Sequence, residues 1–306
     1  MSSGRLPLRD ALLGVLIVAI WGTNFVVMRV GLDHLPPFLF ATLRFTGALV
    51  PAIFFLRRPA SWANLAAYGV FIGVIQFGLI YFALDGWISP GLTSLVIQTQ
   101  VFFTIGLSMW LMGERVLPYQ WAALGLATLG IAVIALHVDA ATTPLGLAMI
   151  LVAAFSWACG NLASRTGGAR NMVAYVVWGS LFAAPPLFLF SLALEGWPAI
   201  VTALTEADAF TWAAVAWQSV GNTLFGFAAW AWLLSRHPAA LITPMALLVP
   251  VFGMGASALF LGEGLPAWKL IAAALVIGGL ALNVFYPRFA GRQAAARVEE
   301  ATGLKP

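Results

Sequence analysis

The chain has 306 residues, of which 62% are hydrophobic and 8% charged, with 15 Lys and Arg against 11 Asp and Glu. A soluble domain carries about 25% charged residues, so this composition and a mean hydropathy of +0.96 exclude a soluble catalytic domain. The basic balance lies in loops between apolar stretches, where it reads as a topology signal, and this excludes nucleic acid as a partner.

A membrane span needs about 20 mostly apolar residues to cross ~30 Å of hydrocarbon. Ten stretches meet that need, and they predict helices at Leu12–Val30, Phe38–Leu56, Leu65–Leu84, Gly91–Met112, Tyr119–Leu136, Pro144–Ala163, Val173–Leu194, Phe210–Leu234, Ala239–Leu261 and Ala267–Phe285. The first stretch is too long for a signal peptide and is expected to stay as a helix. The single cysteine, Cys159, lies within a predicted span and cannot form an internal disulfide.

With the spans alternating from a cytoplasmic N-terminus, every Lys and Arg except Arg29, Arg44 and Lys269 falls on the cytoplasmic side. The outer loops carry Asp33, Asp85, Asp139, Glu195, Glu206, Asp208 and Glu263 instead. This positive-inside bias puts both termini in the cytoplasm.

The chain also repeats itself. "IWGTNFVVMRVG" from Ile20 aligns with "SWACGNLASRTG" from Ser156, matching Trp21 to Trp157 and Arg29 to Arg165. The stretch from Gly91 ending Gly113-Glu114 aligns with the stretch from Ala240 containing Gly262-Glu263. The organisation expected is a cytoplasmic segment at 1–10, a five-span repeat at 11–137, a second at 138–286 and a basic cytoplasmic tail at 287–306. An odd number of spans per repeat inverts the second repeat relative to the first, as in transporters whose substrate site lies near the midplane between the halves.

The Trp21–Asn24–Arg29 opening, "PPFLFATLRFTGA" in the second span, "QTQVFFTIGLSMWLMGER" closing the fourth and "SWACGN" in the sixth resemble EamA-type members of the drug/metabolite transporter superfamily. The resemblance covers roughly residues 10–286 and is strongest to bacterial amino-acid exporters, those for cysteine/O-acetylserine and for aromatic amino acids. It implies an all-α membrane protein of ten transmembrane helices in two inverted five-helix repeats, and efflux across the bacterial inner membrane. The small four-helix multidrug members of the superfamily use a membrane Glu in their first helix. Trp21 and Asn24 stand in that helix here, which argues against proton–cation antiport by that route.

No carboxylate lies inside a predicted span, so the usual buried proton relay is missing from the pattern. His34, His137 and His237 sit at loops, so no metal site is expected. No nucleophile–base pair stands out, and neither enzyme activity nor a cofactor is expected. Arg44 lies about two turns into the second span. It is either a structural arginine tying helix ends or an anchor for a substrate carboxylate through its two-point guanidinium.

The fourth span has the clearest polar face. At about 100° per residue, Thr93, Gln100, Thr104 and Ser108 share an arc that Ser94 and Gln98 extend. It faces either a neighbouring helix or a watered cavity. The ninth span carries Thr243 with the helix-breaking Pro244 and Pro250, which free the carbonyls of Ala240 and Ala246. Trp157 and Asn161 on the sixth span, Gln218 and Asn222 on the eighth, and Gln76 on the third add further polar stripes. Gly69 and Gly73, on the face of Gln76, have the spacing of tight helix packing.

Together with Trp21 and Asn24, these residues describe a substrate-binding lining of amides, hydroxyls and indoles without negative charge. Gln98, Gln100, Gln218 and Trp157 are expected to face one shared central space. Such a lining suits a neutral amino acid better than an organic cation or a sugar phosphate. The sequence therefore reads as an alternating-access exporter of neutral amino acids and related metabolites of aromatic, Met, Thr or Cys type. Its expected partners are that substrate and membrane lipid, and it is expected to act as a monomer. An exporter of drug-like lipophilic compounds is the alternative of the same class, and a non-transporting membrane sensor or scaffold the alternative of another.

Overall fold

The structure, a computed structural model, describes residues 7–50, 52–112, 118–137, 142–237 and 242–302, with side chains at 108–109, 112, 234–235, 243–244 and beyond 286 excepted. These residues are helical throughout, apart from short connections. Helix α1 is Leu8–Gly31, α2 Pro37–Leu49 followed by a 3-10 turn at Ala52–Phe54, and α3 Trp62–Leu84. Helix α4 runs as Pro90–Val96, a 3-10 turn at Ile97–Thr99, and Gln100–Met112. Helices α5, α6 and α7 are Pro118–Ala135, Pro144–Gly167 and Met172–Glu195. A short α8, Trp197–Thr205, turns by 106° into α9, Ala209–Leu233. Helix α10 is Met245–Leu261, and α11, Ala267–Thr302, runs on past the tenth apolar stretch.

Eight of these helices are long and apolar enough to cross a bilayer, and the bent α8–α9 pair makes a ninth. Helix α10 is a shorter apolar helix, because its first residues adopt a 3-10 turn at Thr243–Leu248. The remaining predicted start of that span, 239–241, lies outside the described residues.

Local chemistry sets the boundaries. Prolines open α2, α4 and α6, where a missing N–H costs nothing. Thr143, Asn171 and Asp208 accept from backbone N–H groups and cap α6, α7 and α9. Gly262 ends α10 with a φ of 65°, and Gly196 with a φ of 86° ends α7; both leave a glutamate beside the turn.

Lipid tails are as apolar as the side chains, so helix association rests on close contact rather than on the hydrophobic effect. Gly69 and Gly73 of α3 lie flat on α7, where a Cβ at Gly73 would sit 2.1 Å from that of Ala183. Gly22 of α1 lies against Val249 and Phe252 of α10 in the same way. The pairings cross between the two halves of the chain. Helix α1 packs mainly on α10, α2 on α7, α5 on α11, and α6 on both α3 and α4.

Candidate functional site

Arg44 sits near the middle of the second apolar stretch and is 1% exposed. Its Nη1 donates to Gln218 Oε1 at 2.9 Å and its Nη2 to Asn222 Oδ1 at 3.1 Å. The guanidinium lies 3.8 Å from the centroid of the Phe77 ring, a cation–π contact. No carboxylate among the described residues lies within ion-pair distance of it.

Two stretches of π-helix build this arrangement, Gly69–Phe77 in α3 and Trp217–Phe225 in α9. The wider turn presents Gln218 and Asn222 to one neighbour and frees backbone carbonyls. The indole Nε1 of Trp21 donates to the Asn222 carbonyl at 3.4 Å, and the Trp21 ring packs on Trp230 with centroids 5.2 Å apart. Ser219 Oγ donates to the Arg44 carbonyl, so α9 grips both ends of this residue. A cavity of about 10 Å³ beside it, which Tyr68, Ser180 and Thr223 also line, holds one water-sized group and no amino acid.

A second polar cluster joins α4 to α6. Asn161 Nδ2 donates to Gln100 Oε1 at 2.9 Å, and Thr104 Oγ1 donates to the Gln100 carbonyl at 2.7 Å. A third joins α4 to α10. Pro250 has no N–H to give the carbonyl of Ala246, which takes the Val249 N–H of the 3-10 turn and, at 3.3 Å, the Nε2 of Gln98.

The expected single space is therefore divided. Gln98, Gln100 and Gln218 each enter a different contact, and Trp157 is half-buried in apolar packing. The reason is geometric: Gln98 and Gln100 are two residues apart, about 200° round a helix, and cannot face one neighbour. Gln76 and Asn24 are buried, and among the described residues their amide oxygens have no hydrogen-bond partner. The side chains of Ser108, Thr243 and Pro244 lie outside the described residues. Arg29, at the end of α1, reaches out to Asp33 at 2.7 Å.

Two features have no counterpart among the sequence expectations. One is an apolar cavity of about 580 Å³ between α4, α5 and α6, walled by Phe102, Phe103, Trp110 and Phe155, with Thr99 and Thr128 as polar groups. Its aromatic residues recur at helical spacing on α4, a signal that reads as lipid-facing packing in the sequence. The other is a pair of carboxylates at the end of the bundle where α1 finishes. Glu195 accepts from the backbone N–H of Phe38 (2.6 Å) and Leu39 (3.1 Å) and from Ser191 Oγ. Glu263 accepts from Ser89 Oγ (2.5 Å), Gly91 N–H (3.0 Å), Lys269 Nζ (2.8 Å) and Ser257 Oγ. Burial pushes the Glu263 carboxyl up, but Lys269 and the two serine hydroxyls outweigh it and hold the group below the usual carboxylate range.

Among the described residues no group of His, Cys, Asp and Glu could hold a metal ion. A solved crystal structure shares the fold, with a TM-score of 0.58 at 21% identity over 92% of this chain and 99% of that one. The chain is 37% identical over 288 residues to a protein of Escherichia coli strain K12 called a probable amino-acid metabolite efflux pump, covering 90% of this chain and 95% of that protein. The protein of the same description from Salmonella typhimurium is 38% identical over 287 residues, with the same coverage. An uncharacterized transporter of Bacillus subtilis, YoaV, is 26% identical over 90% of this chain and 96% of its own length. Residues 9–136 and 144–285 each match the EamA-like transporter family, and the chain belongs to that family.

Proposed function

We propose that this chain is a bacterial inner-membrane exporter of neutral amino acids and related metabolites, with aromatic, Met, Thr or Cys-type solutes as substrates. It has ten spans in two inverted five-helix repeats, 11–137 and 138–286, and works as a monomer by alternating access, with both termini in the cytoplasm. The observation that carries the reading is the near full-length similarity to two proteins described as probable amino-acid metabolite efflux pumps. The site chemistry supports it: the clusters between the halves offer amides, indoles and one arginine, and no carboxylate to favour a cation.

In this reading Gln98, Gln100, Trp157 and Asn161, with the backbone broken at Thr243, Pro244 and Pro250, meet the substrate from α4, α6 and α10. Trp21, Gln218 and Asn222 form the wall around Arg44, which Arg44 holds together, and Asn24 and Gln76 complete the substrate lining. Gln98 already donates to the Ala246 carbonyl, so a substrate ammonium group competes with Gln98 for it.

The aromatic cavity between α4, α5 and α6 favours a second reading, export of lipophilic compounds that enter from the bilayer. Cells fed a phenylalanine-containing dipeptide separate the two. Expression should lower intracellular phenylalanine and raise it in the medium. An unchanged balance together with faster extrusion of a lipophilic dye favours the second reading.

A further inference from the structure

Glu263 supplies from the second half of the chain a cap that α4 does not provide for itself. Ser89 stands at the N-cap position, where a serine oxygen ordinarily accepts from the first turn, yet it makes no such bond. Its hydroxyl donates to Glu263 instead, and Glu263 takes the Gly91 N–H in its place. A Cβ at Gly91 would lie 2.8 Å from the carboxylate, so glycine lets the group approach. A carboxylate suits a helix N-terminus because the unpaired N–H groups and the positive dipole end meet there. Ser257 and Lys269 complete a ring of four donors from α4, α10 and α11.

Two of the helices joined by this ring, α4 and α10, carry 3-10 turns. Helix α4 changes its main neighbour at its 3-10 turn, packing mainly on α10 before it and on α6 after it. Helix α10 has its own 3-10 turn at Thr243–Leu248. Ser94 of α4 and Gly253 of α10 are in close contact between the ring and the breaks. A clasp at one end, a break in the middle of α4 and a break at the start of α10 let the clasped half of α4 part from α10 while both stay helical. The donors lie at helix ends, where water can replace the carboxylate once the ring opens. Glu195 has the same chemistry in a different setting, since it caps the start of α2, and the 3-10 turn along the α2–α7 contact, Ala52–Phe54, lies beyond the opposite end of α2.

We infer that Glu263 is the clasp that keeps the end of the bundle beyond Ser94 closed, and that its release is the step by which α4 and α10 part there during transport. Glu195 is a fixed cap and does not take part. The inference rests on the alternating-access reading above.

The test uses the full chain in nanodiscs, with Cys159→Ala and a reporter, Ser94→Cys, labelled by a membrane-impermeant maleimide. Glu263→Gln should speed labelling roughly tenfold or more, as expected for weakening charge-assisted hydrogen bonds, and Glu195→Gln should leave the rate unchanged. An unchanged rate in Glu263→Gln, or equal acceleration in Glu195→Gln, overturns the inference. If Glu263→Gln does not fold, Ser89→Ala and Ser257→Ala each remove one donor and should each give a smaller acceleration; no acceleration in either overturns it. The labelling needs no transport. If labelling follows Glu263 but the protein moves no neutral amino acid, the exporter reading fails and the clasp stands.

Discussion

The side-chain amide of Gln98 donates to the backbone carbonyl of Ala246, 3.3 Å away, joining the 3-10 breaks of α4 and α10. Pro250 makes that carbonyl available, since it lacks the N–H that would close a regular turn. Gln98→Ala should therefore cost about 1 kcal/mol by leaving a half-buried carbonyl underbonded. In Pro250→Ala, which restores the N–H, the same change should cost less. Thermal unfolding of the four proteins of this cycle measures the coupling, and strict additivity would disprove the link.

Arg44 acts as a strut between α2 and α9. Arg44→Leu would strip the donors from Gln218 and Asn222 and should destabilise the protein by about 2–5 kcal/mol. Arg44→Lys keeps the charge and loses the two-point fork. It should slow transport of an amino acid and of its decarboxylated amine alike, because the lost contact is between helices. A selective loss of the carboxylate-bearing solute would instead make Arg44 a substrate anchor.

The seam between α3 and α7 admits no extra volume at Gly73. Gly73→Ala should lower stability by about 1–3 kcal/mol through overpacking. Adding Ala183→Gly removes the opposing methyl group and should restore most of the loss, again read by thermal unfolding. A Gly73→Ala protein as stable as the parent would show that the seam is looser than described.

The Glu263 carboxyl is held below the ordinary range in the folded protein. The unfolded chain then binds the proton more readily, so the stability that Glu263 contributes is present above the unfolded value. It is lost as pH falls through the folded one. The midpoint of unfolding should drop between about pH 4.5 and lower values, and Glu263→Gln should flatten that part of the curve. A variant curve parallel to the parent's would remove Glu263 as its source.

The apolar stretches were legible because hydropathy over some 20 residues reports a span whatever its neighbours are. Pro250 and the carbonyl it frees were legible because proline acts on its own turn. The Gly69–Gly73 spacing likewise carried its meaning locally. The π-helical stretches of α3 and α9 had no such signal, since no residue type marks them. The caps from Glu195 and Glu263 were hidden because their partners lie 157 and 172 residues away. Gln98 and Gln100 were grouped on one polar face, and the fold assigns them to different helices. Amide side chains mark a need for partners without saying which helix supplies them.

Counterflow in proteoliposomes tests the exporter reading most directly. Vesicles preloaded with unlabelled phenylalanine should take up labelled phenylalanine or methionine through the purified protein. Because no carboxylate lies in a predicted span, the exchange should persist after the pH gradient is collapsed. Absence of counterflow for every neutral amino acid tried, from protein shown to be folded, would contradict the account.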